Sequence, residues 1–178
     1  MSAGGSLLVV AGPPGAGKST VSRQLAHREE RSMLVEGDAF FGFIAAGGID
    51  PWLPASADQN ETVIRSAAAA TAVLAARYAT VFDGVLGPWF LDTFVTAGGF
   101  EELDYVLLVP SEAACLQRVR TRTGHSFHDE DATRQMHAQF AASPIDRRHV
   151  VDTTELGVDE TVEAVVTARA AGRLRHTA

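Results

Sequence analysis

Gly12-Pro13-Pro14-Gly15-Ala16-Gly17-Lys18-Ser19 is the stretch that decides how the rest of the chain is read. It fits G-x-x-x-x-G-K-[ST], a pattern in which glycines let the backbone curl closely around phosphate oxygens. An apolar run, Leu7–Ala11, precedes it, and helical spacing follows, with Val21, Leu25 and Arg28 on successive turns. A strand, a glycine-rich turn and a helix in that order aim the helix's free N–H groups and its dipole at an anion. Pro13 and Pro14 have no N–H, so the useful donors begin at Gly15. Lys18 supplies a point charge for the β- and γ-phosphates, and the Ser19 hydroxyl is a magnesium ligand. The expected nucleotide contacts are Gly12, Gly15, Ala16, Gly17, Lys18, Ser19 and Thr20.

Outward from this loop, short apolar runs alternate with helical spacing. Strands are expected at Met33–Val35, Thr80–Phe82, Leu103–Val109 and His149–Val151. Residues 37–58 read as loop-rich, broken by Gly47-Gly48 and by Asp50-Pro51-Trp52-Leu53-Pro54. A long alanine-rich helix then runs to about Tyr78, and further helices cover Pro88–Ala97, the stretch around Cys115, Glu130–Phe140 and a last one closed by Gly172. Buried strands alternating with helices imply an α/β fold, a parallel sheet with helices on both faces and ligands beyond the carboxyl ends of the strands. The whole of 1–178 reads as one domain.

Polar residues gather at those strand ends. Asp38 and Asp83 each close an expected strand, which puts them in one crevice. Asp83 suits a place near magnesium, directly or through water, and Asp38 suits acceptance of a proton from an attacking hydroxyl. Either residue could instead cap a turn. Glu36 is a second candidate two residues earlier. Arg118 and Arg122 lie four apart and share a helix face, while Arg120 points elsewhere. Two guanidiniums beside a triphosphate stabilise charge on the transferred group. Residues 123–129 read as a polar lid, and Arg134 is a further candidate for the cluster. The alternative is a solvated helix face paired with acids such as Glu112.

His125, His128 and His137 lack the spacing of a zinc site and read as lid or surface residues. Phe40, Phe41, Phe43, Trp52, Trp89 and Phe90 surround the acid-bearing loops. Half or more of these belong to ordinary packing. Phe41, Trp52 and Trp89, with Asp38 and Asp83, are the expected walls of an acceptor pocket formed around residues 38–60, and Asp92 is a possible polar handle.

Composition excludes several classes. The chain has 178 residues, 46% of them hydrophobic and 21% charged, which is ordinary for a globular protein and unlike a disordered one. A net charge of −7 without a long basic stripe disfavours nucleic acid and anionic membrane as partners. Leu7–Ala11 is too short for a membrane span and lacks the basic flank of a signal peptide, so a cytoplasmic location is expected. Cys115 is the single cysteine and calls for no oxidising compartment.

The Gly12–Ser19 motif, Asp38, and the Arg118 and Arg122 pair resemble the small P-loop kinases: the adenylate-, shikimate- and gluconate-kinase-like and chloramphenicol-phosphotransferase-like proteins. Residues 48–54 followed by Asp83-Gly84-Val85 are similar to a group of uncharacterised bacterial ATP-binding kinases. The resemblance implies a three-layer, doubly wound five-stranded sheet of order 2-3-1-4-5 with a small lid after the fourth strand. It implies that one of Arg118 and Arg122 packs on adenine while the other contacts phosphate, and that Asp38 binds or deprotonates the acceptor hydroxyl. ATP and Mg²⁺ are the implied cofactors. Unlike a nucleoside-monophosphate kinase, the chain has no Arg or Lys between Ala39 and Gln59, so an uncharged or weakly charged acceptor alcohol is expected. An Asn-Lys-x-Asp guanine signature is absent, although ATP against GTP stays open, as does oligomeric state. The expected activity is transfer of the γ-phosphoryl of ATP to a small-molecule hydroxyl, on a metabolite or an antibiotic. The alternative is a nucleotide-binding regulatory module with a protein partner.

Overall fold

The apolar run ahead of the glycine-rich loop forms strand β1 (Ser6–Ala11), and the loop leads into helix α1 (Lys18–His27). This is a computed structural model, which describes residues 5–121 and 127–178. Strand β2 (Ser32–Glu36) follows, then a 3₁₀ turn over Gly37–Phe43 and a second over Pro54–Ser56. Helix α2 (Ala57–Ala75), strand β3 (Ala79–Gly84), helix α3 (Pro88–Gly98) and strand β4 (Glu102–Leu108) come next. The chain continues through α4 (Glu112–Thr121), α5 (Glu130–Ala142), a 3₁₀ turn over Arg147–His149, β5 (Val150–Val151), α6 (Val158–Ala170) and β6 (Arg175–Thr177).

The parallel strands lie in the order β2-β3-β1-β4-β5, as expected for a doubly wound sheet. The sheet also has a strand the sequence reading lacks. β6 runs antiparallel to the first half of β4, pairing Glu102 with Thr177 and Asp104 with Arg175. β5 pairs only with Leu107 and Leu108, which leaves the earlier part of the same β4 edge open for it. Covering that edge satisfies backbone groups that would otherwise template aggregation.

Alternation along the central strands sorts the core into two layers, because successive side chains point to opposite faces. Leu7, Val9 and Phe82 pack with Ile64 and Ala67 of α2 and Phe94 of α3. Leu8, Val10 and Val81 pack on the other side with Val21 and Leu25 of α1 and Val162 and Val165 of α6. The three-layer arrangement follows directly from this alternation. No described helix is long and apolar enough to cross a membrane.

Candidate active site

Strand register brings the sequence-distant acids to the loop. Val10 of β1 pairs with Asp83 of β3, and Glu36 of β2 pairs with the same Asp83. Paired residues on neighbouring parallel strands share a face, so Asp83 points toward the side that α1 covers. The loop there is shaped by glycine. Gly12 has φ +149° and Gly15 φ +79°; a Cβ on Gly12 would sit 2.3 Å from the Leu108 carbonyl oxygen, and one on Gly15 2.4 Å from that of Cys115. Both positions combine a backbone conformation other residues avoid with a neighbour that a side chain would strike. The loop is therefore held between the end of β4 and helix α4.

Within the loop, the Ala16 amide donates to the Pro13 carbonyl at 3.2 Å, closing the turn. The first bond into the helix runs from the Val21 amide to the Gly17 carbonyl at 3.1 Å. The amides of Gly17, Lys18, Ser19 and Thr20 precede it and have no helical carbonyl to bond, leaving donors for an anion. Of the expected contacts, Ala16 thus has its amide engaged in the turn. The Lys18 side chain is buried, and its Nζ donates to the Pro13 carbonyl at 3.2 Å. Ser19 and Thr20 are exposed.

Asp83 is buried at 5% exposure beside these groups. Burial pushes its carboxyl above the ordinary aspartate range, and Asp38 and Glu36 add to the rise; the Lys18 ammonium and a hydrogen bond from Ser19 oppose it. Its Oδ1 is buried without a hydrogen-bond partner among the described residues. A buried carboxylate oxygen with no donor is costly unless a cation or water meets it. That orphaned oxygen next to a serine hydroxyl is a hard-oxygen donor set that fits Mg²⁺, which keeps several waters and takes few protein ligands.

Asp38 differs from its expected place at a strand end. β2 stops at Glu36, and Asp38 sits exposed in the 3₁₀ turn that follows. Its Oδ1 accepts the Val85 amide at 3.0 Å, and its second oxygen has no partner among the described residues. Glu36, the weaker candidate, forms an exposed ion pair with Arg23 at 3.6 Å.

Arg118 is half-buried, and its Nη2 donates to the Thr153 carbonyl at 2.9 Å, which ties α4 to the segment after β5. Arg122 and His125 lie outside the described residues, as does most of the expected lid. Arg120 turns away to Glu130, with two bonds of 2.6 Å, as its helix position implies. Arg134 pairs with Glu112, Glu130 and Asp131 and so belongs to a surface network. His128 and His137 face the carbonyls of Val119 and Pro110.

The segment expected to bind the acceptor is pinned by residues that sequence reasoning missed. Gln59 bonds both the amide and the carbonyl of Ile49, and Ser56 and Asn60 both bond the Pro51 carbonyl. Trp52 is half-buried, meets Phe127 edge-on at 5.4 Å, and accepts a bond from Gln135 at its carbonyl. The described end of the expected lid thereby touches the acceptor loop. Phe41 is half-buried on the 3₁₀ turn, Phe40 and Phe90 pack on the core, and Phe43 is 78% exposed. Trp89 goes elsewhere. It packs on Phe140 and lines a cavity of about 430 Å³ with Pro88, Gln139, Ala142, Ser143 and Pro144, none of them an expected site residue. Asp92 is exposed on α3, and its charge reaches His176 of β6.

The fold recurs in solved structures. A gluconokinase from Sinorhizobium meliloti 1021 superposes with a TM-score of 0.67 at 23% identity, covering 94% of this chain and 93% of that one. A sugar kinase from Janibacter sp. HTCC2649 gives 0.72 at 18% identity, with 93% and 95% covered. The tunicamycin resistance protein of Deinococcus radiodurans gives 0.63 at 17% identity, with 92% and 94% covered. No curated protein matches the sequence. The AAA domain family matches residues 7–144, the part that carries the glycine loop, Asp38, Asp83 and α4, and the chain belongs to that family.

Proposed function

We propose that this chain is a Mg²⁺-dependent phosphotransferase that moves the γ-phosphoryl group of ATP to a hydroxyl of a small molecule. The observation that carries the reading is the convergence of Lys18, Ser19 and buried Asp83 at the mouth of the glycine loop, with the Asp38 carboxylate held nearby by Val85. The names of two similar structures, a gluconokinase and a sugar kinase, support a small hydroxylated acceptor.

In this reading the free amides at the start of α1 and the Lys18 ammonium hold the β- and γ-phosphates. Ser19 and Asp83 would hold Mg²⁺, which neutralises charge on the phosphate oxygens when bound. Asp38 takes the acceptor's hydroxyl proton on its unpartnered oxygen as the oxygen–phosphorus bond forms and the bond to ADP breaks. Arg118 would contact the nucleotide, a role the resemblance also assigns to Arg122, and Trp52 and Phe41 would wall the acceptor.

In this reading the acceptor is an uncharged or weakly charged alcohol. Residues 39–59 hold no Arg or Lys, and the next cation along the chain, Arg65, is paired with Glu61. An acceptor anion would find no counter-charge within this segment. Neutral or weakly charged alcohols fit this segment better than doubly charged phosphate esters. The test is a screen of hydroxylated metabolites and antibiotics with ATP labelled in its γ-phosphate. A neutral alcohol should acquire label, and Asp38→Asn should slow labelling by about 10²-fold or more. ATP binding with no compound labelled would favour a regulatory module, and labelling of phosphate esters alone would overturn the charge argument.

A further inference from the structure

A hydrogen-bonded path leads from the sheet interior to the carboxylate of Asp38. Tyr105 stands in the middle of β4, paired with Val9 of β1, and its side chain is fully enclosed. Phenylalanine would fill the same space. What the hydroxyl adds is one bond, donated to the Leu86 carbonyl at 2.7 Å. Leu86 is buried in the connection between β3 and α3. Immediately before it, Val85 gives its amide to Asp38 Oδ1 at 3.0 Å. Immediately after it, the Gly87 carbonyl accepts the Phe90 amide at 2.9 Å in the first turn of α3. Three consecutive residues are thus each held by a different element.

Removing the middle tie would leave a buried carbonyl without a donor, a defect that the backbone relieves by moving. The movement falls on the Leu86–Gly87 peptide, two peptide units along the chain from the Gly84–Val85 peptide whose amide orients Asp38. A carboxylate on an exposed 3₁₀ turn has few other restraints, so the angle at which its free oxygen is presented depends on that amide.

We propose that Tyr105 is a positioning residue for the acceptor step: its hydroxyl fixes the Leu86 carbonyl and so keeps the Val85 amide in line with Asp38. The proposal rests on the reading of Asp38 as the acceptor-facing carboxylate. Tyr105 itself touches neither phosphate nor acceptor.

The test is residue-resolved amide hydrogen exchange on the nucleotide-free protein. In Tyr105→Phe the Val85 amide should exchange about tenfold faster or more, while Val9 and Val10 in the sheet keep their protection, as expected for local rather than global opening. Unchanged Val85 exchange, or acceleration shared equally by Val9 and Val10, would overturn the proposal. A second probe does not risk the fold. Fluorotyrosine incorporated in a Tyr78→Phe background makes the Tyr105 hydroxyl a stronger donor and should slow Val85 exchange; no change would also overturn it. With the alcohol that the screen labels, Tyr105→Phe should raise the acceptor KM and lower kcat at an unchanged ATP KM. A uniform loss on both substrates would contradict the positioning role. Exchange is read without nucleotide or acceptor, so the path can be verified even if no alcohol is phosphorylated, in which case the kinase reading fails alone.

Discussion

Lys18 donates its ammonium to the carbonyl of Pro13, 3.2 Å away in its own loop. It is the one lysine in the chain. The ammonium thus rests on a backbone oxygen of the loop proposed to bind the triphosphate. An amine-directed reagent at neutral pH should therefore modify Lys18 as the single side-chain target, slowly because it is buried, and MgATP should protect it further. Mass spectrometry reads both effects. Equal labelling with and without MgATP would separate Lys18 from the nucleotide.

Asp38→Asn removes a proton acceptor while keeping shape and the bond from Val85. Acceptor-dependent ATP consumption should fall by about 10²-fold or more, the usual range for general-base loss. ATP affinity should stay within about twofold, since a uniform loss would mean lost binding rather than lost chemistry. Steady-state kinetics with a labelled alcohol checks this, and full turnover would reject the role.

Asp83 gives a pH signature. Its folded carboxyl is raised above the ordinary 3.8, so the folded chain holds that proton more tightly than the unfolded chain. The stability it contributes is present at low pH and is lost as pH climbs from 3.8 toward the raised value. Asp83→Asn should flatten that part of the profile and unfold no earlier than the native chain at pH 7 without divalent ions. Added Mg²⁺ should raise the melting temperature of the native chain by mass action and leave Asp83→Asn unmoved. Thermal melts across pH, with Mg²⁺ or with chelator, separate these cases. An identical Mg²⁺ shift in both proteins would remove Asp83 from the metal site.

Cys115 lies where α4 presses its carbonyl against Gly15, and burial pushes its thiol up to about 11, against the opposing charges of Arg118 and Lys18. At pH 8 roughly one molecule in a thousand carries the thiolate. Alkylation should be very slow in the folded chain and rapid in denaturant. Fast native alkylation would mean that α4 opens away from the loop.

The alternation of strands and helices and the glycine loop were legible because they rest on local signals: apolar runs of strand length, glycine spacing, and the strand-then-helix context; the strand order came from the resemblance to small P-loop kinases. Asp83 was legible for the same reason, as the last polar residue of an apolar strand. Asp38 was placed near the site but on the wrong element, since nothing in Glu36-Gly37-Asp38 marks where a strand yields to a 3₁₀ turn. β6 escaped notice because Arg175-His176-Thr177 has no apolar alternation, and its pairing depends on an edge that β5 is too short to cover. Trp89 read as an acceptor wall from its closeness to Asp83 in sequence, yet the first turn of α3 directs it to Phe140. Val85 gives its own amide to the Asp38 side chain, and Gln59 and Tyr105 bond the backbone of Ile49 and Leu86, pairings that no local residue pattern encodes.

Calorimetric titration of MgATP into the nucleotide-free protein tests the central claim most directly. One saturable site is expected, and Lys18→Ala should weaken it by roughly tenfold to more than a hundredfold, the affinity equivalent of a hydrogen bond to a charged group at about 1.5–3 kcal/mol. No binding heat with ATP or GTP, or equal affinity in Lys18→Ala, would contradict the account.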